Sequence, residues 1–125
     1  MTVEKLYETY QGKTLEDAGA YKSDDFIVFA RAMRSAIQNE VKKIGAKVVN
    51  FSVGHYDVSG FVEKEGRYVY FSYSEPRCMP IDLTRADCMK GILVRRAKSP
   101  KDYSGEHNYF TNIMSFRSSV DSLLR

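Results

Sequence analysis

The clearest pattern in the chain is a stripe of apolar residues at steps of three and four: Phe26, Phe29, Ala30, Met33, Ile37, Val41 and Ile44. That spacing places all seven on one side of a helix. Arg31, Arg34, Gln38 and Asn39 fall off the stripe and should face water. Ser23 or Asp24 can accept a hydrogen bond from a first-turn amide, and Asp24 and Asp25 sit where the helix dipole favours negative charge. Lys42 and Lys43 suit the last turn, and Gly45 supplies a left-handed stop. The pattern predicts a helix from 24 to 44. A shorter helix is expected over 1–10, with Val3, Leu6, Tyr7 and Tyr10 at helical spacing and Gly12 beyond it. Leu15, Ala18 and Ala20 permit a further turn, which Gly19 weakens.

The period then changes to two, that of a strand. Over 47–53, Val49, Phe51 and Val53 alternate with Val48, Asn50 and Ser52. Strands are expected next over 58–63 and 67–74, joined by Glu65-Gly66, a pair suited to a tight hairpin. In the latter strand Val69, Phe71 and Tyr73 share one face, and Tyr68, Tyr70 and Ser72 the other. Residues 75–90, with Pro76 and Pro80, read as a long loop. A fourth strand is expected over 91–97, with Ile92 and Val94 opposite Leu93 and Arg95. Residues 99–108 read as a polar turn region. A closing helix is expected from Thr111 to Leu124 on the stripe Ile113, Phe116, Val120 and Leu123.

Consecutive strands with short turns imply an antiparallel sheet. The expected fold is α+β: a two-layer sandwich in which a three- or four-stranded meander is covered on one face by the long helix and the C-terminal helix. The packing pairs expected are Phe29, Met33 and Ile37 against Phe51, Val53, Val69 and Phe71. Length and the absence of alternating β and α units exclude a TIM barrel and a doubly wound fold.

At 125 residues the chain fits one domain, 1–125, with no linker to divide it. Its nine Tyr and seven Phe argue against disorder. No apolar run approaches a membrane span, and the N-terminus lacks the apolar centre of a signal peptide, so a cytoplasmic protein without a membrane partner is expected.

The net charge of +3 is unevenly spread, and it concentrates at 76–101, where seven bases and two acids give +5. Within this stretch Lys90, Arg95, Arg96, Lys98 and Lys101 carry no acid between them. Such a cluster suits phosphate binding through counterion release; it would equally protect a sheet edge from mispairing. Arg95 and Arg96, adjacent in a strand, should point to opposite faces, so only one can join a site on the Tyr68–Tyr70 face. Tyr68 and Tyr70, beside Asn50 and Ser52, would offer bases a stacking surface if that face is open. The N-terminal segment, with Tyr7, Tyr10 and Tyr21, could instead cover it. A nucleic-acid site would need Arg31 and Arg34 to converge with the basic strip; a host-protein site would need a large exposed apolar patch.

Cys78 and Cys88 read as two reduced thiols, since a disulfide-stapled secreted domain normally carries more cysteines. With His55 and His107 they make a four-ligand set on paper. No two of these residues lie within four positions of each other, unlike the close ligand pairs of structural zinc sites, so no metal is expected. A Cys with His107 and Asp102 can be drawn as nucleophile, base and orienting acid, but no catalytic motif surrounds them. No Walker loop or dinucleotide fingerprint is present, and no cofactor is expected.

Three stretches, FSVGHYDVSGFV (51–62), YVYFSYSEPR (68–77) and ILVRRAKSPKDYSGEHN (92–108), follow the helix FIVFARAMRSAIQNEVKK. Together they resemble small α+β accessory proteins of Gram-positive mobile elements, modules associated with large polyvalent proteins. The resemblance covers roughly 26–108 and transfers no functional residue. It implies a non-enzymatic binding or accessory module of a mobile genetic element that contacts nucleic acid or a host protein. The alternatives are a host-defence antagonist acting by protein–protein contact, or a small enzyme with a Cys/His site. The element order also resembles that of double-stranded RNA-binding domains, from which the long 75–110 segment and the absence of a base over 111–115 depart.

Overall fold

A computed structural model describes residues 2–10, 24–54, 57–74, 86, 91–105 and 107–125. Helix α1 spans Val3–Tyr10 and α2 spans Asp24–Lys42. Five strands follow: β1 (Lys47–Val53), β2 (Asp57–Lys64), β3 (Arg67–Ser74), β4 (Ile92–Ala97) and β5 (Tyr109–Thr111). A short 3-10 turn, Ile113–Ser115, leads into α3, Phe116–Leu123. All neighbouring strands run antiparallel, in the order β1-β2-β3-β4-β5. The architecture is the expected α+β meander with one strand more than expected. Among the described residues no helix is long and apolar enough to cross a membrane.

The core follows the α2 stripe. Phe26, Phe29, Ala30, Met33, Ile37 and Val41 are buried against Val58, Val62, Val69, Phe71, Ile92 and Val94. Fully burying side chains of this size stabilises by roughly 1.5–3 kcal/mol each. Val3 and Leu6 of α1, and Phe116, Val120 and Leu124 at the C-terminus, complete the same cluster. Phe116 meets Tyr73 edge-on at 5.3 Å, tying α3 to β3.

Helix α2 ends in a Schellman motif. The Ala46 amide donates to Val41 O and the Gly45 amide to Lys42 O, both at 3.1 Å, with Val41 and Ala46 buried together. Between β2 and β3, Glu65 (φ 52°) and Gly66 (φ 77°) both adopt left-handed conformations, the signature of a type I′ hairpin turn. Gly66 meets that demand without a Cβ penalty.

Two local features depart from the sequence pattern. In β1 the register passes from Val49↔Phe61 to Ser52↔Ser59, so Asn50 and Phe51 together oppose Gly60. This bulge, with Asn50 at φ 49°, resets the alternation. Val48, Phe51 and Val53 therefore pack on the core, and Val49, expected beside Phe51, lies outside that cluster. At the C-terminus Thr111 ends a strand rather than starting a helix. Asn112 caps the 3-10 turn, its Oδ1 accepting from the Ser115 amide at 2.9 Å, and α3 begins only at Phe116.

Candidate nucleic-acid interface

The far sheet face carries a second, smaller apolar cluster. Phe61 is buried there, with ring centroids 5.3 Å from Tyr70 and 5.2 Å from Tyr103. Tyr103 belongs to the segment that follows β4, and this segment lies over the face; Tyr21 lies outside the described residues. α1 packs against α2 on the opposite side.

Three polar contacts fix the segment. Asn50 Nδ2 donates to Pro100 O at 2.7 Å, so the β1 bulge holds the tip of the loop. Arg95 Nη2 donates to Asp102 O at 2.8 Å. The Lys98 amide donates to Asp102 Oδ2 at 2.9 Å. That Lys98 hydrogen bond is the main reason the Asp102 carboxyl is held below its ordinary pKa. Burial opposes it, and the Ser104 amide and the positive charges of Arg95 and Lys98 add to the lowering.

Strand alternation sends Arg95 and Arg96 to opposite faces, as expected. Arg95 is only 3% exposed and its guanidinium lies over Tyr70. Its Nη1 is enclosed and has no hydrogen-bond partner among the described residues. Gly105 passes against it, where an added Cβ would stand 2.5 Å from Nη1. Arg96 stays exposed on the helix side, where its Nε donates to Leu123 O at 3.1 Å at the C-terminal end of α3.

Strand β5 pairs only with Ile92, Leu93 and Val94. Beyond it β4 continues through Arg95–Ala97 with no β5 partner. A cleft of about 620 Å³ opens there, lined by Arg96, Lys98, Asp102, His107 and Tyr109 among others. The Lys98 ammonium makes no ion pair among the described residues; the acids Glu40, Glu63 and Asp121 pair elsewhere.

The structure thus gathers part of the basic strip. Arg96 and Lys98 share the cleft, and exposed Lys101 lies on the adjoining loop. Arg95 and Tyr70 are engaged under the loop, and Tyr68 is half-buried beside Ala97. Arg31 and Arg34 are exposed on α2, which packs over β1 and β2, away from the cleft; Arg34 sits 5.7 Å from the Phe51 ring centroid. Lys90 lies outside the described residues, as do Cys78, Cys88 and His55 of the drawn metal and nucleophile sets and the 13–22 turn. Sequence reasoning missed Tyr109 as a site residue, because 109–111 is too short to show strand periodicity. Comparison with protein-family models, curated proteins and solved structures finds no match.

Proposed function

We propose that the protein is a non-enzymatic binding module that grips nucleic-acid phosphates at the cleft beside the end of β4. The observation that carries this reading is the pairing of Arg96 and Lys98 in one concave site, with no ion pair to the Lys98 ammonium among the described residues and Lys101 alongside. The acid in the cleft, Asp102, is held ionised on the Lys98 amide, and the surrounding cations Arg96, Lys98 and Lys101 outnumber it. Arg95, engaged with Tyr70 and Asp102 O, serves the loop and not the ligand. The resemblance to mobile-element accessory proteins supplies the setting, a protein that handles the DNA or RNA of such an element.

Contacts to phosphate carry no base code and release counterions. Binding to short single- and double-stranded DNA and RNA, followed by fluorescence anisotropy at two salt concentrations, tests the reading. Lys98→Gln with Lys101→Gln should weaken binding for all sequences alike and flatten the salt dependence. Absence of binding at low salt overturns the proposal and leaves a host protein as the partner to seek.

A further inference from the structure

A second cleft, of about 480 Å³, lies between β5 and α3. Arg96 and Tyr109 line both this cleft and the first. The two are therefore neighbouring halves of one groove that meet at this pair of side chains. One half carries Lys98 and His107; the other carries the hydroxyl residues Ser118, Ser119 and Ser122.

We infer that this groove takes a single nucleic-acid strand, with a phosphate on Arg96, an unstacked base on the Tyr109 ring and the sugar or base edge toward the α3 serines. The inference rests on the phosphate-binding reading and specifies the form of nucleic acid. Arg96 is prepared for the role: Leu123 O holds its Nε, and its two Nη groups have no hydrogen-bond partner among the described residues. A guanidinium so held presents a planar fork to phosphate at little further ordering cost. Tyr109 is 51% exposed and lines both halves. A phenol ring can stack only on a base whose face is open, which a duplex interior does not offer. The serine half is also set in place. Ser119 Oγ and Thr111 Oγ1 lie 2.8 Å apart, pinning α3 to β5, while Ser122 Oγ has no partner among the described residues and can meet a ligand.

The test compares three probes of equal length by anisotropy: a single-stranded oligothymidylate, the same strand with abasic sites, and a duplex. The wild-type protein should prefer the oligothymidylate. Base–aromatic stacking is worth about 1–3 kcal/mol per base, so Tyr109→Ala should weaken that complex by roughly 5- to 150-fold. Tyr109→Phe, which keeps the ring, should stay within about twofold, and the abasic strand should bind wild type and Tyr109→Ala alike. Circular dichroism confirms that each variant is folded. If Tyr109→Ala binds oligothymidylate as wild type does while Lys98→Gln weakens it, phosphate binding stands and the single-strand inference falls. Equal affinity for duplex and single strand overturns it too. Failure of every probe to bind at low salt removes both readings.

Discussion

The guanidinium of Arg95 lies 4.5 Å from the centroid of the Tyr70 ring, on the sheet face opposite α2. A charge there is sheltered by an aromatic ring on one side and by the 102–105 chain on the other. Arg95 thereby becomes a structural element of that face, joining β4 to the loop that crosses it.

Replacing Arg95 with Met keeps the length and removes both the cation–π contact and the bond to Asp102 O. Such contacts contribute about 0.5–2 kcal/mol, and a carbonyl left without its partner adds to the loss. Arg95→Met should lower stability by roughly 1–3 kcal/mol, read from urea unfolding, because two modest interactions disappear together.

Gly105 is the second point of closure. Its Cα approaches so near that an added Cβ would stand 2.9 Å from Arg95 Cζ and 3.0 Å from Cδ. Arg95 cannot yield without leaving Tyr70. Gly105→Ala should cost about 1–3 kcal/mol, as overpacking does, and differential scanning calorimetry should show the drop in Tm.

Asp102 gives the loop a dependence on acid. Its carboxyl pKa is lowered in the folded chain, so folding favours the ionised form. The resulting stabilisation is fully present above the ordinary carboxylate pKa. It is lost as pH falls through the lowered value. Asp102→Asn removes the charge, so wild type should be the more stable at neutral pH and the gap should close on acidification. Urea titrations at several pH values check this; a gap that stays constant would contradict it.

Met33 occupies the middle of the α2 stripe and is wholly buried. Met33→Asp places an unpaired charge there and should abolish the cooperative unfolding transition seen by circular dichroism.

The α2 stripe, the Glu65-Gly66 hairpin and the division of β3 into two faces were all legible, because each rests on a local period or a local backbone demand. The register of β1 was not. Strict alternation over Val48–Val53 fits an unbroken strand equally well, and only pairing with β2 shows that Asn50 and Phe51 share one partner. The groove was legible in part. The cations at 96 and 98 stood out as a run, but which side each serves depends on where β5 stops along β4, and a three-residue strand leaves no periodic trace. The fate of Tyr70 was likewise set at long range, by Tyr103, whose surroundings 99–108 read only as a turn.

The bulge in β1 has a consequence for how copies of this chain meet one another. β1 ends the sheet, and its outer backbone would otherwise be an open template for a neighbour's strand. A neighbour laid along it finds matching amides and carbonyls only in two short runs, with a left-handed Asn50 between them and the charged Lys47 at one end. The residue that anchors the loop through Pro100 thus also stands at the break in this border of the sheet, an irregularity of the kind that blunts an edge against strand addition.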